Sequence, residues 1–248
     1  MKFVIVGPPR SGTTLLVRTL NQVQGVLCHG ELLGDLVSGL QDGFEPLYHT
    51  EAEREERMQR LLAQRNKDQV GFMQRALNFP AKAVGMKVLY KTFLNPMWDP
   101  AITYLSSQDE FSYIHIRRRN ALRRYISESV VKAGGPIHSG PGGRRDMARP
   151  VHIDVHAFLE SQSALSEQEA AVMAIITGKS VLNLAYEQLS SDFAGTMTQV
   201  CRYIGLDITG HSIEPALQKI GARDLRNVVS NYDELLAHNG TRAMLLGD

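Results

Sequence analysis

The sequence predicts a three-layer α/β fold, with a central and mainly parallel sheet flanked by helices. Three observations predict it. Phe3-Val-Ile-Val6 is a short β-prone apolar run, and a glycine-bounded loop and a helix opening at Thr13 follow it at once. An apolar run without alternation reads as a strand buried on both faces, which is the habit of parallel sheets. Comparable runs recur near Val84–Tyr90, Phe111–Ile116 and Lys179–Tyr186, with helical apolar spacing between them. A length of 248 residues, 43% hydrophobic and 21% charged, suits one α/β domain over residues 1–248 with a full-sized core. No internal repeat or composition break divides the chain.

The opening stretch organises the rest. Gly7-Pro-Pro-Arg-Ser-Gly-Thr-Thr14 joins the first strand to the first helix (about Thr13 to Gln22). A strand, a Gly-rich turn and a helix N-terminus make an anion site, because backbone N–H groups converge where the helix dipole is positive. Gly7, Gly12 and Thr14 match the spacing of the phosphate-binding loop G-x-x-x-x-G-K-[ST]. Thr13 stands where a nucleotide triphosphatase needs lysine, and the cation has moved into the loop as Arg10. Such a loop holds a phosphate but is poorly equipped to transfer one from ATP.

Pro9-Arg10-Ser11-Gly12-Thr13-Thr14 resembles the 5′-phosphosulfate loop of the sulfotransferases that use 3′-phosphoadenosine-5′-phosphosulfate (PAPS). The resemblance implies a sulfotransferase fold, PAPS as cofactor with adenosine 3′,5′-bisphosphate as product, and a hydroxyl-bearing acceptor. Pro9, Arg10, Ser11, Gly12, Thr13 and Thr14 then hold the 5′-phosphosulfate, and Arg10 with the loop amides is expected to act in catalysis by stabilising the departing 5′-phosphate oxygen. The motif style is nearest to bacterial carbohydrate sulfotransferases of the trehalose and nodulation-factor type.

A second short strand is expected over Gly25 to Cys28, running into an ordered turn, His29-Gly-Glu-Leu-Leu-Gly34. Sulfuryl transfer to a hydroxyl needs a group that takes the hydroxyl proton. A glutamate in a similar Gly-Glu-Leu-Leu setting is the base in the trehalose enzyme, so the resemblance makes Glu31 the candidate base. His29 is the runner-up, and a surface or helix-entry carboxylate is the bland alternative for Glu31. Residues 36–80 read as helices covering the sheet. Thr50 and Glu53 form a capping-box pattern there, and the mixed charges from Glu51 to Arg60 form a solvated face. A Gly-x-Lys strand recurs in bacterial sulfotransferases, so in the strand Val84–Tyr90 the resemblance makes Lys87 a candidate to approach the sulfuryl group and stabilise charge leaving on the bridging oxygen. The alternative is a strand-end lysine with its head in water, and Lys91 is a weaker candidate.

Five arginines fall between Arg117 and Arg124 in a chain of net charge +1. Cations concentrated where a strand ends mark an anion site in an open α/β sheet. Arg119 and Ser127 have the spacing of the family's 3′-phosphate pair; arginine offers a bidentate grip and serine one more donor. Strand register is not visible in sequence, so Arg117 and Arg118 compete for that role. A nucleic-acid patch and a charged helix face are the alternatives, and His115 reads as a core histidine. Gly134 to Pro150, with five glycines, three prolines and the cations Arg144, Arg145 and Arg149, is expected as a mobile lid.

Asp154 is placed to cap a long helix through about Thr177, and Lys179–Tyr186 to form the last core strand. Tyr186-Glu-Gln-Leu189 resembles the family's Tyr-Glu-x-Leu element, Asp192 caps a helix that Gly205 stops, and the tail around Asn231–Leu235 forms a terminal helix. Near-zero net charge gives no general pull toward nucleic acid or membrane. Two cysteines, Cys28 and Cys201, make no disulfide framework. No run of membrane-spanning length and no metal-ligand spacing is found, so a cytoplasmic enzyme without a metal is expected. The alternatives are a P-loop small-molecule kinase and a non-catalytic nucleotide- or RNA-binding module.

Overall fold

The computed structural model describes residues 1–40, 50–135, 150–208, 213–217 and 225–247. Five parallel strands form one sheet: β1 (Lys2–Gly7), β2 (Val26–Glu31), β3 (Ala83–Leu89), β4 (Phe111–Arg117) and β5 (Val181–Ala185), in the order β2-β3-β1-β4-β5. The first strand lies in the middle, so chain connections leave it toward both edges. The loop after β1 therefore sits at the topological switch point, where open α/β sheets bind ligands.

Alternation along the strands supplies both faces with apolar side chains. Val4, Val6, Met86 and Tyr113 face one layer, built from α2 (Glu51–Lys67), α3 (Gln69–Leu77), α4 (Tyr90–Phe93), α5 (Asp99–Ser107) and the end of α7 (Val155–Ile175). Phe3, Ile5, Ile114 and Ile116 face the other, with α1 (Thr13–Leu20), α8 (Tyr186–Ser191) and α9 (Phe193–Tyr203). Side chains such as Phe3, Ile5, Tyr90 and Tyr113 are fully buried; burial of a side chain of this size is worth about 1.5–3 kcal/mol. A third cluster joins Leu122 and Ile126 of α6 (Ala121–Lys132) to Phe158, Val229, Leu235 and Leu245, so that α10 (Tyr232–Ala237) and α11 (Asn239–Leu246) brace α6.

The sequence expectations shift in places. The second strand continues to Glu31, with an irregularity between His29 and Glu31, so the candidate base ends a strand and does not lie in a turn. The segment after it folds back: Gly30 N–H donates to Gly39 O at 2.8 Å and Ser38 N–H to Glu31 O at 2.9 Å. Buried Leu32 and Leu33 pin it to the core. Tyr90 and Tyr186 open helices and do not end strands, and the tail forms two short helices instead of one. Thr50 and Glu53 make the full capping box, and Asp154 and Asp192 each accept a first-turn N–H. No described helix is long and apolar enough to cross a membrane.

Candidate active site

The loop after β1 is shaped by two glycines. A Cβ on Gly7 would lie 2.3 Å from the Ile116 carbonyl oxygen, so only glycine lets β1 close on β4 here. Gly12 has φ +95° and caps α1; a Cβ there would meet the Tyr186 ring at 2.7 Å. Tyr186 is thus the floor under the loop. Ser11 is fully buried, and its hydroxyl donates to Pro8 O at 2.7 Å, closing the turn on itself. Thr13 is buried. No side chain caps α1 and no carboxylate lies in its first turn. That leaves the positive end of the helix for an external anion.

Arg10 adopts φ +64°, the one left-handed non-glycine backbone among the described residues. Such a conformation is uncommon and costs of order 1 kcal/mol, a form of strain that gathers at functional sites. Its Nε donates to Ser127 Oγ at 3.0 Å, which ties the loop to α6 across 117 residues of chain. Burial lowers the Arg10 pKa from its ordinary value, while Tyr186 and Glu128 nearby oppose the shift.

On the other side of the loop, Lys87 bridges three elements. Its Nζ lies 2.8 Å from Glu31 Oε1 and 3.0 Å from Thr14 Oγ1. Register explains the meeting: Lys87 pairs with both Ile5 and Glu31 across the sheet. The Lys87 side chain is 8% exposed and that of Glu31 32%, so the pair is roofed on the lysine side and open on the carboxylate side. Arg65, itself buried, donates to Leu32 O at 3.0 Å and Gly34 O at 2.8 Å, and stacks on Trp98 with 4.5 Å to the ring centre. It braces the turn that follows Glu31. Arg65 falls outside the charge run that drew attention in sequence, and only its long-range contacts reveal it.

His29 is placed differently. It is wholly buried, its Nε2 donates to Ala76 O at 2.8 Å, and burial lowers its pKa. His115 is the core histidine its pattern suggests, held by Tyr90 OH and, at 2.8 Å, by Asn183 Oδ1. Lys91 is exposed.

Arg119 and Ser127 are not joined: Ser127 takes Arg10, while Arg119 offers its backbone to Glu187. The Glu187 carboxylate accepts from Arg119 N–H at 3.0 Å and Asn120 N–H at 3.1 Å, fixing the turn into α6. The Arg119 side chain is exposed. Arg118 is half-buried over Tyr186, 4.9 Å from the ring centre, and burial lowers its pKa with Tyr186, Glu187 and Arg10 among its charged neighbours. Arg117 pairs with Glu169 at 3.1 Å. The lid expectation with Arg144 and Arg145 lies outside the described residues, and among those described no cluster of metal-ligating side chains occurs.

No protein-family profile and no curated protein sequence matches this chain. Solved structures do. The sulfotransferase of Alicyclobacillus acidocaldarius is 14% identical, over 98% of this chain and 93% of that chain, with a TM-score of 0.50. The sulfotransferase domain of the Synechococcus PCC 7002 olefin synthase is 19% identical, over 96% of this chain and 83% of that chain, with a TM-score of 0.52. Mouse sulfotransferase SULT7A1 complexed with PAP is 13% identical over 98% and 87% of the two chains, with a TM-score of 0.45. On the first two of these likenesses, the chain has the fold of the sulfotransferases.

Proposed function

We propose that this chain is a sulfotransferase that moves the sulfuryl group of PAPS to a hydroxyl of a carbohydrate, glycolipid or small molecule. The observation that carries the reading is the placement of two polar constellations on opposite flanks of one anion-binding loop. Arg10 bonded to Ser127 lies on one flank, and Lys87 bonded to both Glu31 and Thr14 lies on the other. The two sulfotransferases named above with TM-scores of 0.50 and 0.52 share this fold, which supports the same activity.

The residues fit the cofactor. The uncapped α1 N-terminus and Arg10 suit the 5′-phosphate, and the arginines of the β4–α6 turn with Ser127 suit the 3′-phosphate. PAPS supplies an activated sulfuryl group joined to its 5′-phosphate through one oxygen. Glu31 accepts the proton of the acceptor hydroxyl as that oxygen bonds to sulfur in line with the departing oxygen. Arg10, Lys87 and the loop N–H groups meet the charge left on the 5′-phosphate as the old S–O bond breaks, and adenosine 3′,5′-bisphosphate leaves. Lys87 is suited to move from Glu31 toward that oxygen, because its Nζ already stands at the loop on Thr14.

A thermal melt separates this reading from a kinase. Kinase chemistry needs Mg²⁺ and a loop lysine at the β- and γ-phosphates, whereas Thr13 stands in that place here. Adenosine 3′,5′-bisphosphate with EDTA should raise Tm by roughly 2–4 °C at 100 times Kd. ATP with Mg²⁺ should do less. A larger shift from ATP–Mg²⁺ and none from the bisphosphate would replace the sulfotransferase with a kinase.

A further inference from the structure

Glu31 is aimed by a kink and not by a continuous ladder. Between His29 and Glu31 the second strand advances two residues while β3 advances one, from Met86 to Lys87, so Gly30 is an extra residue in the pairing. Bulges of this kind re-aim a side chain and gather beside active sites. The strap that follows closes on the same spot, since Gly30 N–H donates to Gly39 O and Ser38 N–H to Glu31 O.

Arg65 holds that strap from α2. Its Nη1 donates to Leu32 O at 3.0 Å and Gly34 O at 2.8 Å, while Nε and Nη2 both donate to Asn66 Oδ1, at 3.2 and 3.1 Å. The guanidinium lies 4.5 Å from the centre of the Trp98 ring, and the residue is 3% exposed. A cation suits the last turn of a helix, where the dipole is negative. Yet all four of its hydrogen bonds go to neutral acceptors, and burial lowers its pKa against the opposing charge of Asp35. Well-packed apolar residues often replace buried ionic groups without loss of stability. Stability is therefore a weak reason for an arginine here. Its planar fork can serve two carbonyls and Asn66 at once, which a lysine ammonium cannot.

Resting on the sulfotransferase reading, we infer that Arg65 is a positioning residue for the base: it fixes the bulge and the strap so that Glu31 stays aimed at the acceptor hydroxyl after Lys87 has left it. In the resting site Lys87 holds the carboxylate at 2.8 Å. In the proposed reaction that lysine turns to the leaving oxygen, and the backbone around Glu31 then has to keep the carboxylate in place. Two consecutive carbonyls do this, Glu31 O on the Ser38 N–H and Leu32 O on Arg65. A misplacement of about 1 Å at a reacting group can cost on the order of a hundredfold in rate.

Two variants loosen the clamp and leave Glu31 itself intact. Arg65→Lys keeps the charge and loses the fork. Asn66→Ala removes the acceptor of Nε and Nη2 from an exposed position, and so tests the clamp even if the first variant fails to fold. Hydrogen exchange reads the strap without any acceptor molecule. The Gly30 and Ser38 amides should exchange about tenfold or more faster in Arg65→Lys, and by a smaller factor in Asn66→Ala, with the Val4 and Ile114 amides of the central strands unchanged.

Release of sulfate from PAPS, with water as the acceptor, reads the chemistry. The water oxygen bonds to sulfur, Glu31 takes a water proton, and the bond from sulfur to the 5′-phosphate oxygen breaks. At saturating PAPS the rate should fall by about tenfold or more in Arg65→Lys, yet hardly change when the same substitution is made in Glu31→Gln. The dissociation constant of adenosine 3′,5′-bisphosphate should stay the same throughout. Equal losses with and without the Glu31 carboxylate would make Arg65 a merely structural residue and overturn the inference. Unchanged exchange at Gly30 and Ser38 would overturn it too, as would unchanged sulfate release from a loosened strap. A wild-type chain that neither binds the bisphosphate nor releases sulfate would instead remove the sulfotransferase reading, and the catalytic role of Arg65 with it.

Discussion

Lys87 Nζ sits 2.8 Å from Glu31 Oε1 while also donating to Thr14 at 3.0 Å, so the candidate base and the anion-binding loop share one cation. Three chain segments far apart in sequence converge there because β2 and β1 both pair with β3 at Lys87. In the proposed reaction, the lysine holds the carboxylate in place before the acceptor arrives and meets the leaving oxygen afterwards.

Glu31→Gln keeps the shape and still accepts a hydrogen bond from Lys87, but removes the basicity. Turnover should fall by about 10²–10⁴ in kcat, the usual range for general-base catalysis, with bisphosphate binding unchanged. Near-wild-type kcat would sink the assignment. His29 would be a poor replacement, since its Nε2 is already committed to the Ala76 carbonyl in the core.

The strands and the loop were legible in sequence because their signals are local. The apolar run Phe3–Val6, the Gly7/Gly12/Thr14 spacing and the caps at Thr50, Asp154 and Asp192 each depend on a few neighbouring residues. What sequence missed depends on packing between distant segments. Arg65 reaches Leu32 and Gly34 across more than thirty residues, and Glu187 caps the turn at Arg119 and Asn120 from 68 and 67 residues away. The Arg119/Ser127 spacing was visible, but the bond that Ser127 makes goes to Arg10, 117 residues earlier. Only the sheet order brings those ends together.

The 3′-phosphate can be assigned by selectivity. Arg119→Ala should weaken binding of adenosine 3′,5′-bisphosphate by about tenfold or more relative to adenosine 5′-phosphate, because a hydrogen bond to a charged group is worth roughly 1.5–3 kcal/mol. Its exposed side chain makes loss of folding a poor explanation for such a change. Equal weakening of both nucleotides would remove Arg119 from that role. The same comparison on Arg118→Ala then decides whether the arginine stacked on Tyr186 takes its place.

His29 gives the fold a pH dependence of its own. The ring is fully buried with its Nε2 on the Ala76 carbonyl, and burial pushes its pKa below the ordinary value of 6.5. The unfolded chain therefore binds this proton at a higher pH than the folded chain does. Its contribution to stability is complete above about pH 6.5 and is lost as pH falls from there toward the lower folded-state pKa. One proton of difference gives a slope of at most roughly 1.4 kcal/mol per pH unit. Urea unfolding measured from pH 8 to pH 5 should show wild-type stability falling below about pH 6.5. His29→Gln can keep a donor for Ala76 without taking up a proton, so its profile should be flatter across that window. Parallel profiles for the two proteins would mean that His29 does not set the acid limb.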